Sequence, residues 1–187
     1  MALTVGTKAP DFSTTDQDGK VVSLSALKGK KIVLYFYPRD MTSGCTAEAC
    51  SLRDNYSVLQ KAGYHIFGVS TDTEKSHQKF IQKEKLPFQL LADTDKSVHN
   101  KYGTWIEKSM YGRKYMGTAR VTYVINENGV ITEVIEKVDT KNHAVQILGG
   151  NTVVAKAIAK PSKKKAPKKV VKKAAKKTAS KAARKKK

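Results

Sequence analysis

Apolar residues run without a break through Ile32-Val-Leu-Tyr-Phe-Tyr37, between a Lys28-Gly-Lys30 turn and Pro38. Such a run, lacking polar alternation, predicts a central strand over 31–37 that is covered on both faces. Upstream, residues 12–24 read as a hairpin whose turn is supplied by Asp16-Gln-Asp-Gly19 ahead of Val21-Val22. Downstream, Ala49, Leu52, Tyr56 and Leu59 recur three or four residues apart, predicting a helix from Thr46 to Ala62 that ends at Gly63. Tyr64 to Ser70 then reads as a strand, Thr73 to Glu84 as a helix and Phe88 to Leu91 as a short strand. Strands alternating with helices imply parallel pairing. Arg120–Ile125 and Val130–Glu136 flank Asn126-Glu-Asn-Gly129, the turn chemistry of an antiparallel hairpin. The expected fold is therefore α/β, with a mixed central sheet flanked by helices. A last helix is expected over 142–159, with Ala144, Ile147 and Leu148 on one face and Gly149-Gly150 as its weak point.

Composition divides the chain in two. Of its 187 residues 40% are hydrophobic, but these thin out near residue 160, so the expected domain is 1–159 and residues 160–187 are an appendage. The net charge of +20 is concentrated in the same place: 151–187 holds 16 Lys and Arg and no acidic residue, while 1–150 holds 20 basic and 16 acidic residues. Neither a signal-peptide pattern at the N-terminus nor a stretch of about 18 apolar residues is present, so a cytoplasmic protein without a membrane span is expected. Two cysteines in such a compartment point to redox chemistry rather than to a structural staple.

The segment Pro38-Arg-Asp-Met-Thr42-Ser-Gly44-Cys45-Thr-Ala-Glu48-Ala-Cys50 places Cys45 where the loop after the strand becomes a helix. Free N–H groups and the helix dipole at that point stabilise a thiolate, the reactive form of sulfur. Gly44 allows close approach of a small ligand, and the Thr42 hydroxyl can donate and accept hydrogen bonds beside an incoming peroxide. Arg120 is the best-placed cation in the chain to favour the thiolate and the charge that develops on reaction. A cysteine oxidised to sulfenic acid condenses with a nearby thiol, and Cys50 is the other cysteine of the chain. On one intact helix, residues five apart have Cα atoms roughly 8–9 Å apart. A disulfide tolerates up to ~7 Å, so the first turn must unwind before Cys50 can reach Cys45. The bland alternatives are a structural disulfide or buried thiols, a surface ion pair for Arg120, a turn or capping role for Thr42, and a dipole-favouring N-terminal charge for Glu48. Trp105 and Tyr111 are expected to pack at the edge of the core. His65, His77, His99 and His143 lack ligand spacing relative to the cysteines, so no metal is expected.

Pro38, Thr42 and Cys45 match the Pro-x-x-x-Thr-x-x-Cys motif of peroxiredoxins, and a second cysteine five positions on resembles the bacterioferritin comigratory protein, or peroxiredoxin Q, subfamily. Ala9-Pro-Asp-Phe12, Gly44-Cys-Thr46, Gly68-Val-Ser70, Leu86-Pro-Phe88, Lys108-Ser-Met-Tyr-Gly112 and Arg120 with Thr122 resemble it in order and spacing, over nearly the whole core. Ser43 departs from it, standing where the subfamily usually has Pro, but the reacting groups are all in place. The resemblance implies a thioredoxin-like fold, Cys45 as peroxidatic and Cys50 as resolving cysteine, and Thr42 and Arg120 as peroxide-site residues beside Pro38 and Gly44. It further implies a hydroperoxide substrate, thioredoxin as reductant, no metal or organic cofactor, and a monomer or weak dimer, of which the monomer is the expectation carried forward.

Residues 160–187 combine Lys, Ala, Pro, Val, Ser and Thr without aromatics, a composition that cannot bury enough surface to fold alone, and a disordered basic tail is expected. In composition it resembles linker-histone tails and the tails of some bacterial nucleoid proteins. Lys163, Lys164, Lys165, Lys168, Lys169, Lys172, Lys173, Lys176, Lys177 and Arg184 are the expected phosphate contacts, giving sequence-independent, salt-sensitive binding to DNA or another polyanion. The corresponding location is the nucleoid of a bacterium or the nucleus of a eukaryote. Two functions follow: a peroxidase tethered near nucleic acid, or a nucleoid-type DNA-binding protein that uses the peroxiredoxin domain as a platform. Retention of Cys45, Cys50, Thr42 and Arg120 together favours the first. A general disulfide reductase would be better served by Cys-x-x-Cys, which is absent.

Overall fold

The computed structural model describes residues 3–110 and 112–149. Its frame is a seven-stranded mixed sheet built around β3 (Lys31–Phe36), in which Ile32 to Phe36 are all buried. β4 (Tyr64–Ser70) lies parallel on one side of it, with Val33 opposite Ile66, and β8 (Val121–Ile125) lies antiparallel on the other, with Tyr35 opposite Thr122. β1 (Ser13–Asp16), β2 (Val21–Ser23), β5 (Gln89–Ala92) and β9 (Ile131–Ile135) complete the order β2-β1-β5-β4-β3-β8-β9. This is the mixed α/β sheet that the pattern of elements predicted, in the thioredoxin-like arrangement that the resemblance implied.

Strand pleating sorts the central run onto two cores. Val33, Tyr35 and Tyr37 face a cluster completed by Ala49 and Leu52 of α1 (Ser43–Asp54), Leu59 of α2 (Tyr56–Lys61), Phe80 of α3 (Glu74–Glu84) and Ile147 of α5 (His143–Leu148). Ile32, Leu34 and Phe36 face the other, with Phe12, Tyr123 and Val98 and Tyr102 from and beside α4 (Ser97–Lys101). Gly68 on β4 is required by this packing, since a Cβ there would lie 2.6 Å from the Tyr35 hydroxyl.

Three elements depart from the sequence expectation. The expected helix over 46–62 begins earlier, at Ser43, and is cut in two at Asn55, whose backbone leaves helical geometry while its side chain donates to the Ser51 carbonyl at 2.8 Å. A side chain competing for a backbone acceptor in this way is what makes Asn a poor helix interior residue. Second, β6 (Trp105–Met110) and β7 (Arg113–Thr118) form a separate two-stranded ribbon. Residues 113–116 are all exposed, so this ribbon has no buried face to impose a period of two on the sequence. Third, α4 is a single turn, too short for a helical period to show. Of the last expected helix, His143–Leu148 is present with Ala144, Ile147 and Leu148 buried; its remainder and the expected tail lie outside the described residues. Trp105 is half-buried at the core edge, over His99, as expected for packing, whereas Tyr111 lies outside the described residues.

The ribbon is tied to the sheet through a buried chain of polar groups. His99 Nδ1 sits 2.5 Å from Asp93 Oδ2, and its Nε2 lies 3.0 Å from the hydroxyl of Thr118 at the end of β7. Burial opposes ionisation of Asp93, but hydrogen bonds from the His99 ring and from the His99 and Val98 backbone outweigh it and hold its carboxyl at about 2. A carboxyl depressed in the folded state adds stability that is complete above its unfolded value near 4 and is lost as pH falls toward 2. Urea denaturation should therefore show Asp93→Asn to be less stable than the parent at pH 7 and to lose about 2 kcal/mol less between pH 5 and pH 2.

Candidate active site

The chain leaves β3 at Tyr37 and must turn before α1. Met41 makes that turn with φ of 57°, in the left-handed region, and Thr42 returns to extended geometry as the helix N-cap. The Thr42 carbonyl accepts the first helical bond from Thr46 N at 2.8 Å, while its hydroxyl, exposed, donates to the Arg39 carbonyl at 3.1 Å. Cys45 is the third residue of α1, inside its first turn and 1% exposed. Free N–H groups and the dipole of the helix therefore act at its sulfur. Arg120, the residue before β8, reaches across so that Nη2 donates to Cys45 Sγ at 3.2 Å. A Cβ on Gly44 would lie 3.5 Å from that same nitrogen, an ordinary van der Waals contact, which places Gly44 directly against the guanidinium. Pro38 lines an open groove beside the site, between the loop after β3 and the ribbon, with Arg39, Thr71, Trp105, Lys108 and Thr118.

Glu48 is the residue that the sequence reading placed outside the site, as a simple helix-end charge. It is wholly buried, and its Oε2 accepts from Arg120 Nη1. Burial pushes its carboxyl up to about 7 against the opposing pull of Arg120. The sequence did carry a signal, since residues i and i+3 share a helix face and Glu48 is three residues beyond Cys45. His143, at the start of α5, is also wholly buried, with Nδ1 3.4 Å from Glu48 Oε1 and Nε2 3.1 Å from the Thr122 hydroxyl. Burial, with Arg120 adding to it, pushes the His143 ring down to about 4. No spacing relates residue 143 to residue 45, and only the docking of α5 on α1 brings them together.

Cys50 lies on the same unbroken α1 as Cys45, half-buried, and both are free thiols. Its Sγ donates to Glu84 Oε2 at 3.7 Å at the end of α3, and Arg53 Nη1 donates to the Glu84 carbonyl at 2.6 Å. Burial, and secondarily Glu84, push the Cys50 thiol up against the pull of Arg53. The sequence-predicted Gly44, Cys45 and Arg120 thus converge, Thr42 caps the helix with its hydroxyl turned to the Arg39 carbonyl, Pro38 stands at the groove beside them, and Cys50 faces Glu84 instead. The tail residues Lys163 to Arg184 lie outside the described residues. Among the described residues, no helix is long and apolar enough to cross a membrane.

A buried cysteine in the first turn of a helix, beneath a guanidinium and on a thioredoxin-like sheet, defines the class of thiol-dependent peroxidases. The sequence model of the AhpC/TSA family matches residues 5–134. A putative peroxiredoxin Bcp of Coxiella burnetii is 48% identical over 149 residues, 80% of this chain and 99% of that one. Peroxiredoxin Bcp of Escherichia coli is 44% identical over 141 residues, 75% and 90% of the two chains. Among solved structures, the bacterioferritin comigratory protein of Xanthomonas campestris, described for its alkyl peroxide reduction activity, superimposes with a TM-score of 0.71 at 33% identity over 80% of this chain and 92% of that one. The chain belongs to the AhpC/TSA family, within its peroxiredoxin branch of the bacterioferritin comigratory protein and peroxiredoxin Q type.

Loss of a single preorganised donor to a reacting centre typically costs about 10²–10³ in rate. Arg120→Gln should accordingly slow single-turnover oxidation of Cys45 by hydrogen peroxide about a hundredfold, followed in a stopped-flow instrument through Trp105 fluorescence. Oxidation at the parent rate would remove Arg120 from the reaction.

Proposed function

We propose that this peroxidase works through a two-cysteine cycle and carries that chemistry to nucleic acid. In the cycle, the Cys45 thiolate attacks a hydroperoxide and becomes a sulfenic acid, and Cys50 condenses with it to an intrachain disulfide that thioredoxin reduces. Arg120 holds the anionic sulfur and the charge developing on the peroxide, the Thr42 hydroxyl orients the incoming oxygen, and Pro38 and Gly44 shape the entry. The 3.2 Å hydrogen bond from Arg120 to Cys45 Sγ carries the reading, because it sets a positive charge against the one sulfur that lies in a helix first turn. The same convergence speaks against a mere platform for a DNA-binding tail, which has no use for a guanidinium aimed at a thiol. Reduction of alkyl peroxides by the X. campestris relative supports organic hydroperoxides as substrates beside hydrogen peroxide.

Resolution requires α1 to open. Both sulfurs sit on one continuous helix, where five residues separate Cα atoms by roughly 8–9 Å. Cys50 must also leave Glu84, so the reduced enzyme holds its resolving thiol in reserve. In a thioredoxin-coupled peroxide assay, Cys45→Ser and Cys50→Ser should both lose turnover, and rapid single-turnover oxidation should survive only in Cys50→Ser. Turnover that ignores Cys45 would end the enzymatic reading, and sustained turnover in Cys50→Ser would end the intrachain one.

Residues 1–159 are proposed as a monomeric catalytic domain and 160–187 as a tether, placing a cytoplasmic enzyme on the nucleoid or, in a eukaryote, in the nucleus. The support is the sequence itself: 16 basic and no acidic residues over 151–187. Counterion release makes the log of affinity fall with the log of salt in proportion to the phosphates neutralised, by about 0.9 per contact on duplex DNA. Duplex binding by the full chain should show such a slope, equal for unrelated sequences, and removal of 160–187 should abolish it. Equal retention of DNA without the tail would overturn the tether.

A further inference from the structure

Arg120 stands between two acids. One of its terminal nitrogens donates to Cys45 Sγ and the other to Glu48 Oε2, and Glu48 is wholly buried. When both acids are buried, as Cys45 and Glu48 are, two anions sharing one cation do not both stay ionised, because the second charge gains too little to offset its desolvation. When the sulfur is a thiolate, the charge that must be given up is that of Glu48. The molecule has a place for the proton that Glu48 would then carry. Glu48 Oε1 and His143 Nδ1 are two of the buried side-chain atoms without a hydrogen-bond partner among the described residues, and they face each other at 3.4 Å. The Thr122 hydroxyl meets the other ring nitrogen, which fixes the ring in place. One proton between Oε1 and Nδ1 satisfies both orphaned atoms, and it can do so in either ionisation state of Glu48: a protonated Glu48 donates to Nδ1 of a ring whose own proton is on Nε2, and an ionised Glu48 accepts from Nδ1–H once the ring proton has moved there and the Thr122 hydroxyl donates to Nε2.

We infer that Glu48 and His143 form a proton store linked to the oxidation state of Cys45: Glu48 is protonated, bonded to His143 Nδ1, while Cys45 is a thiolate, and it ionises against Arg120 once the sulfur is neutral. This rests on the peroxidase reading of Cys45 and extends it. The balance is Cys45–S⁻ + ROOH + Glu48–COOH → Cys45–SOH + ROH + Glu48–COO⁻. The S–O bond forms as the O–O bond breaks, sulfur gives two electrons to the peroxide, and the proton needed by the departing oxygen is matched by the one that Glu48 gives up. Net charge inside the site stays constant through the step. Glu48 is thus a positioning residue that acts through Arg120. The direction of its shift, up to about 7 by burial, agrees with a proton held near neutrality. So does that of His143, which burial holds down at about 4 and so keeps a free acceptor nitrogen. The other groups facing the cluster are Tyr35 from β3, with its hydroxyl also orphaned, Lys108 from β6, and Asp139 ahead of α5. None of these offers a second cation in contact with Glu48 among the described residues.

The test is proton stoichiometry. The full chain carrying Cys50→Ser, which stops at the sulfenic acid, is mixed with one equivalent of hydrogen peroxide at pH 6 in weak buffer with an indicator dye. With Glu48 as the store, no proton is taken from solvent; with Glu48→Gln added, one proton per sulfur oxidised is taken up. One proton taken up by both proteins, or none by both, overturns the store. Absence of Cys45 oxidation in the protein with native Glu48 instead overturns the peroxidase reading, so the two failures are distinct. Should Glu48→Gln not fold, the carboxyl carbon-13 resonance of Glu48 in the Cys50→Ser chain decides: it should move from its protonated to its ionised position on oxidation, and a resonance that stays put refutes the store.

Discussion

Everything at this site is organised around one half-buried guanidinium. Arg120 has two acidic partners, and its weight lies in setting both against one cation. Glu48 and Cys45 sit one turn apart on α1, so they approach Arg120 from the same side, and whichever is ionised determines how much positive charge the other feels. That geometry depends in turn on β3 and β8 being paired in a fixed register, since Arg120 is the residue that precedes β8 and α1 follows directly from β3. A one-residue slip of that pairing would turn every side chain of β8 to the opposite face and carry Arg120 out of line with the sulfur.

The three buried histidines show a second constraint at work. His77, His99 and His143 each bring Nδ1 to a carboxylate, from Asp40, Asp93 and Glu48 in turn. His77 joins α3 to the loop after β3 and His143 joins α5 to α1, while His99 ties α4 to the turn just before it and, through Nε2, to β7. His77 and His99 have both ring nitrogens engaged, which makes each a directional link whose misplacement leaves polar atoms unsatisfied. Two of the three surround the reactive loop, from the Asp40 side and from the Glu48 side, so the strained turn at Met41 is held between groups that cannot shift without losing hydrogen bonds.

Much of this was legible in the chain. The uninterrupted run at 32–37 identified the central strand because full burial removes any need for polar alternation, and Asn126-Glu-Asn-Gly129 identified the antiparallel hairpin because Gly129 takes φ of 76° there. Spacing placed Cys45 at a helix start. Three things were not legible for definite reasons. The β6–β7 ribbon is wet on both faces over much of its length and leaves no periodic trace. The break at Asn55 arises from one side-chain hydrogen bond inside an otherwise regular apolar stripe. Glu48 and His143 are ordinary surface residue types, and only the tertiary contact between α1 and α5 removes them from water.

The interruption at Asn55 also bears on how far a disturbance in this protein can spread. α2 is anchored on its own account, through Leu59 in the core and contacts with β4, and shares no continuous hydrogen-bond ladder with α1. Any melting that begins at Cys45 therefore meets a boundary ten residues later, where the backbone has already left helical geometry. The free energy of opening is that of three helical turns rather than five, and α2 keeps Leu59 packed in the core throughout. Such a segment is a sacrificial section of the fold, one that can be undone and rebuilt while the molecule as a whole stays folded.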